Sequence, residues 1–156
     1  MDRAERLSPV RGAAAWIATL GPVGLWPWGP GTLASAVTAA LWPLGLPVAA
    51  WAGAAAGLTM IGVIASDRAE RSLGHDDGRI VIDETAGMAV ALLAAPPGWT
   101  GALAALALFR FFDIAKPPPI GRLQAVPGGW GVMLDDLAAG AAAAAVLAGG
   151  RALAGA

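Results

Sequence analysis

The sequence predicts an all-α fold: a compact bundle of about five or six helices, embedded in a membrane, with one polar site at its cytoplasmic edge. Three observations lead there. No charged residue occurs from Gly12 to Ser66, from Thr85 to Phe109 or from Leu137 to Gly150. Proline and glycine recur at helix-length intervals, and the strand-like run Ile80-Val81-Ile82 is too short to found a sheet. Hydrophobic residues make up 57% and charged residues 13%, where an ordinary soluble domain carries about 25% charge. The mean hydropathy is +0.64. One charge at the bilayer centre costs about 2.5–3.5 kcal/mol on the insertion scale, so long uncharged stretches suit lipid. A soluble oligomer with a buried helical core is the competing reading. The length of 156 residues fits one domain, residues 1–156.

The elements follow from the punctuation. Arginines 3, 6 and 11 precede the first apolar stretch, but Asp2 and Glu5 interrupt them, so this reads as a retained cytoplasmic end rather than a signal peptide. Trp26 to Gly31 (WPWGPG) is a rigid loop. Thr32 then reads as an N-cap, its hydroxyl accepting from the first free amides. The helix it opens runs to about Trp42 and is stopped by Pro43 and Pro47. A second helix spans about Val48 to Leu73, closed by Gly74. His75 to Arg79 is a polar loop. A third helix starts near Ile80 and ends at Pro96-Pro97, and a fourth begins near Trp99 and ends before Pro117-Pro118-Pro119. After the Gly128-Gly129 turn, the last helix covers about Val132 to Ala148.

With Thr32 inside, the Pro43–Pro47 and Pro96–Trp99 turns lie outside, and Asp67–Glu84 and Arg110–Asp136 return inside. Every basic residue except Arg151 is then cytoplasmic, as the positive-inside rule expects. Trp26, Trp28, Trp42, Trp51 and Trp99 fall near turns, where interfacial tryptophans belong. The first helix, about 16 Å long at 1.5 Å per residue, is too short for a core of about 30 Å. It reads as re-entrant or shallow.

Several chemistries are excluded. A net charge of −1 offers no basic stripe to nucleic acid. Without cysteine there is no disulfide, thiolate nucleophile or thiolate metal site. His75 is the only histidine, too few for a zinc-protease motif. What remains is acid. Asp76, Asp77, Asp83, Glu84, Asp113, Asp135 and Asp136 converge on one face. Two unit charges at 4 Å repel by about 4 kcal/mol at an effective dielectric of 20, so such a cluster calls for cations. All-oxygen ligation selects Mg²⁺, Mn²⁺ or Ca²⁺ over zinc. Helical neighbours point about 100° apart, so each adjacent pair is expected to split, one member on a metal and the other elsewhere. Gly87 and Gly140, four residues after Asp83 and Asp136, would let helices close around the site. Arg110, Asp113 and Lys116 share a face, and two cations beside an acid cluster suit a bound phosphate.

These residues resemble a known family. Pro30-Gly31-Thr32, IVIDETAG (Ile80–Gly87), FRFFDIAKPPPI (Phe109–Ile120) and GGWGVMLDDLAAG (Gly128–Gly140) are similar, in order and spacing, to the motifs of the phosphatidylglycerophosphatase A family. The matching positions are Thr32, Asp76, Asp83, Glu84, Gly87, Arg110, Asp113, Lys116, Pro117, Asp135, Asp136 and Gly140. Ala115 and Pro118 stand where members often carry tryptophan, and Leu123 where many carry aspartate.

The resemblance implies an all-helical, Mg²⁺-dependent lipid phosphatase of the bacterial inner membrane. Its substrate would be phosphatidylglycerophosphate and its product phosphatidylglycerol, with membrane lipids as its other partners. Combined with the residue reading, it assigns Asp83, Glu84, Asp113, Asp135 and Asp136 to catalysis and, with Asp76, to the metal. Thr32, Arg110 and Lys116 are assigned to the substrate phosphate. Direct water attack is favoured over an aspartyl-phosphate, because there is no Asp-x-Asp motif. Two alternatives stand beside it. A CDP-alcohol phosphotransferase also uses aspartates and Mg²⁺, but Asp77-Gly78 continues here into Arg79-Ile80 rather than Ala-Arg. A small transporter would carry ionisable residues near the midplane, and the apolar stretches have none.

Overall fold

The computed structural model describes residues 10–74 and 77–155. It is all-helical, with no strand among the described residues. In order, the helices are α1 (Ala13–Ala18), α2 (Pro30–Ala40), α3 (Val48–Leu73), α4 (Ile82–Leu92), α5 (Gly98–Ala115), α6 (Ile120–Leu123) and α7 (Gly129–Leu153), with a 3-10 turn at Trp42–Leu44 after α2. The expected bundle is present, with the single turns α1 and α6 added. Residues this short carry no periodic signal.

α4 is the axis. It packs against α2, α3, α5 and α7, and Ala86, Met88, Ala91 and Leu92 are wholly buried. α4 and α7 approach through two glycines. A Cβ on Gly140 would lie 2.1 Å from the Gly87 carbonyl oxygen, and one on Gly87 would lie 2.5 Å from that of Asp136. No larger residue fits either position without pushing the helices apart. Small residues at such crossings let helix backbones meet inside a bilayer.

Three helices, α3, α5 and α7, are long and apolar enough to cross a membrane. Their outward side chains are apolar, among them Ile61, Ile64, Leu103, Ile114 and Val146. α2 and α4 have 11 residues each, about 16 Å at 1.5 Å per residue. The short α2 agrees with the sequence reading. The third helix is shorter than expected, because the chain leaves it in a turn at Leu93, ahead of Pro96.

Two tryptophans depart from the interfacial role. Trp42 and Trp51 are buried with ring centroids 5.6 Å apart, and the Trp42 indole donates to the Pro96 carbonyl at 2.7 Å. They pin the α2–α3 connection to the α4–α5 turn. Trp26, Trp28 and Trp99 remain exposed.

Candidate active site

The polar residues gather where α5 ends and α2, α4 and α7 begin. Asp83 and Glu84 occupy the first turn of α4. Asp135 and Asp136, both buried, lie two turns into α7. One carboxylate oxygen each from Asp83, Glu84 and Asp136 lies within 4.8 Å of the other two. Asp83 Oδ1, Glu84 Oε2 and Asp136 Oδ2 are shut off from solvent and have no hydrogen-bond partner. Leaving a buried polar atom unsatisfied costs about 1–3 kcal/mol, more when charged. Three carboxylates this close together, each with an unpartnered buried oxygen, fit a hard cation, whose ligands are carboxylates.

Electrostatics agree. Burial pushes the Glu84 carboxyl up to about 7, with the charges of Asp136 and Asp113 adding to the rise. Burial, then the Glu84 charge, raises Asp83 well above the usual carboxylate range. Asp113 and Asp135 also act on this trio through their charges. Five of the predicted acids are thus brought together.

The sharing of one point by Asp83 and Glu84 corrects the expectation that adjacent acids split. They sit in the helix's opening turn, and the longer stem of Glu84 carries its carboxylate back to its neighbour's. In α7 the split holds. Asp136 joins the trio, while Asp135 accepts from Lys116 Nζ at 2.5 Å and from the Asp136 amide at 3.1 Å. Burial works against the Lys116 ammonium, but the hydrogen bond and charge of Asp135 outweigh it and raise its pKa. Lys116 caps α5 with left-handed backbone, φ 40°. Arg110 pairs with Asp113 at 2.5 Å, one turn apart on α5.

Thr32 is not an N-cap. α2 begins at Pro30, its cap is Gly29 in the left-handed region, and no side chain caps it. Proline suits a first helical position because its missing amide would be unpaired there. Thr32 is exposed in the opening turn, and the residue that meets the acids is its neighbour. A Cβ on Gly31 would lie 1.8 Å from Glu84 Oε1. Gly31 was not singled out in the sequence, although Pro-Gly-Thr at a helix start marks the place. Asp76, like His75, lies outside the described residues. Asp77 stands apart from the site, forming a buried two-pronged ion pair with Arg79 at 2.7–2.8 Å. That pair braces the loop entering α4, where the Val81 amide donates to the Ala18 carbonyl at 2.9 Å.

The family model for phosphatidylglycerophosphatase A matches residues 16–151. The chain belongs to this family. A phosphatidylglycerophosphatase A of Escherichia coli is 36% identical over 129 residues, covering 80% of this chain and 75% of that one. Its counterpart from Haemophilus influenzae is 49% identical over 67 residues, 42% of this chain and 41% of that one. A provisionally named phosphatidylinositol-3-phosphatase of Bacteroides thetaiotaomicron is 41% identical over 128 residues, 75% of this chain and 80% of that one. No solved structure matches significantly. Family membership decides against the phosphotransferase and transporter alternatives.

Proposed function

We propose that this protein hydrolyses the terminal phosphomonoester of phosphatidylglycerophosphate, releasing phosphatidylglycerol and phosphate, as a single domain of the bacterial cytoplasmic membrane with its site toward the cytoplasm. The observation that carries the reading is the close trio Asp83, Glu84 and Asp136 with three buried, unpartnered oxygens, in a chain of this family. The trio would hold Mg²⁺, with Asp113 and Asp135 beside it and Asp76 from the adjoining loop. The bound ion would supply Lewis-acid polarisation of the phosphoryl oxygens and a more acidic water.

The chain's own residues do the rest. Arg110 and Lys116 are the cations nearest the acids, each tied to one of them. On substrate arrival they turn toward the phosphate's charge while their carboxylate partners keep them in place. Thr32 and the free amides of the first turn of α2 add donors. Water oxygen bonds to phosphorus and gives up a proton, the bond from phosphorus to the glycerol oxygen breaks, and that oxygen takes up a proton in its place. The long outward apolar faces keep the acyl chains in lipid while the headgroup reaches the site.

Phosphate release from phosphatidylglycerophosphate by the purified protein, with and without Mg²⁺, tests the reading. Release that is absent under both conditions sinks it. The 41% identity to a relative named for a phosphoinositide supports a second reading, a 3-phosphoinositide substrate. A side-by-side assay of the two lipids separates them. Orientation is tested by reporters after Gly121 and Gly98, expected on the cytoplasmic and outer sides; the reverse pattern overturns it.

A further inference from the structure

Two hollows on the outer side of α3 lie apart from the acid cluster and share Ile64 and Arg68. The first, about 280 Å³, runs between α1 and α3 and is walled by Ile17, Ile61 and Ile64, with Arg68 as its one charged lining residue. The second, about 410 Å³, lies between α3 and the start of α7, and its polar wall includes Asp67, Arg68, Arg71 and Trp130. Their charges are not equivalent. Arg71 is neutralised by Asp67 at 2.8 Å, whereas Arg68 has no ion pair among the described residues. A guanidinium without an ion pair among the described residues thus stands at the junction of an oily trough and a polar hollow. Ile17, Ile61 and Ile64 are 44%, 51% and 53% exposed, so the trough opens outward to the surrounding lipid.

We propose that this paired hollow is a second lipid site, holding an anionic phospholipid with an acyl chain along Ile17, Ile61 and Ile64 and its phosphodiester on Arg68. Amphipathic shape and charge complementarity select the occupant. A zwitterionic lipid brings its own cation to the phosphate and gains less from Arg68, and a free anion leaves the trough unused. Trp130, 45% exposed at the polar end, sits where an indole bridges apolar and headgroup layers. The site goes beyond the hydrolytic reading and does not depend on it, since none of the proposed catalytic acids lines either hollow.

The test reads binding without turnover. The full-length protein in non-ionic detergent is titrated with dioctanoyl phosphatidylglycerol, dioctanoyl phosphatidylcholine and inorganic phosphate, following thermal melting and lipid retention by native mass spectrometry. Phosphatidylglycerol is expected to bind in preference to phosphatidylcholine. Arg68→Ala should weaken it about tenfold, the loss of one charge-assisted contact. Ile64→Trp, which fills the trough from the other side, should weaken both lipids. Equal retention of phosphatidylglycerol by wild type and Arg68→Ala overturns the proposal, as does equal binding of the two lipids. Inorganic phosphate stabilising the wild type as well as the lipid does, with that gain lost in Arg68→Ala, does so too, reducing the hollow to an anion site. Arg68→Ala changes an exposed side chain, so its result stands even where Ile64→Trp fails to fold.

Discussion

Asp83 and Glu84 at the start of α4 turn both carboxylates to one point, whereas in α7 only Asp136 reaches it and Asp135 is drawn aside by Lys116. Position within the helix makes the difference. The α4 pair stands in an opening turn, where α2 leaves room beside it because residue 31 has no side chain. The α7 pair lies inside a continuous helix, so the two residues diverge and each takes the neighbour it faces. Asp136 faces the first turn of α4, and Asp135 faces the end of α5. One pair concentrates charge; the other divides it between the site and its support.

Substitutions within the α7 pair should break this contrast most visibly. Asp136→Asn is expected to lower phosphate release at least about 100-fold at saturating Mg²⁺, beyond the 10–100-fold typical of residues one shell out. Asp135→Asn should fall within that smaller range. Equal losses in steady-state kinetics would mean that the two aspartates share one role. In the α4 pair, Gly31→Ala tests the room left for Glu84. Misplacement by about 1 Å can cost 100-fold, so a loss of about 10–100-fold is expected with melting little changed. Full activity would show that Glu84 can move without consequence.

Lys116 sharpens the other half. Removing it leaves Asp135 buried without its cation; breaking a fully buried pair costs about 3–5 kcal/mol, and a side chain 32% exposed brings this nearer 1–3 kcal/mol by solvent screening. Lys116→Ala should therefore melt earlier as well as turn over slowly, and Lys116→Arg should recover part of both. Lys116→Gly separates the backbone from the charge. It relieves the left-handed φ of 40°, worth about 1–2 kcal/mol for a non-glycine residue, yet restores no ion pair. If denaturant melts place the glycine variant at wild-type stability with normal turnover, the ammonium does nothing but fill a cap.

Much of this arrangement was legible in the sequence. Pro47 and Gly74 bracket α3 where the structure places it, Val48–Leu73, because proline and glycine act through local backbone geometry. Gly87 and Gly140 were readable as contact points by their four-residue offset from acids. Other features depended on how the fold packs around them. Trp42 is buried because Pro96 offers it a carbonyl, and Arg79 because Asp77 folds back around it beneath α1. Nothing local distinguishes these from an interfacial tryptophan or a solvated arginine. Asp83 and Glu84 misled for another reason: the 100° rule describes Cβ directions, and the stem of Glu84 is long enough to undo it.

The unpartnered oxygens of the trio have a consequence for how the fold is held together. Protons and a bound cation would compete for them, which would link stability to metal occupancy. Glu84 has its folded pKa raised from 4.5 to about 7. Protonation therefore favours the folded state below pH 4.5, and that contribution fades as the pH rises through about 7. Metal-free protein should melt several degrees lower at pH 8 than at pH 5, measured by calorimetry in detergent. A cation that binds only the folded chain at 100 times its Kd restores about 2.7 kcal/mol and should flatten that slope. An equally steep slope with Mg²⁺ present would show that the ion does not meet these oxygens. With linkage, the trio would serve as a clasp, closed by a cation at neutral pH and by protons in acid, joining α4 to α7 at the glycine crossing.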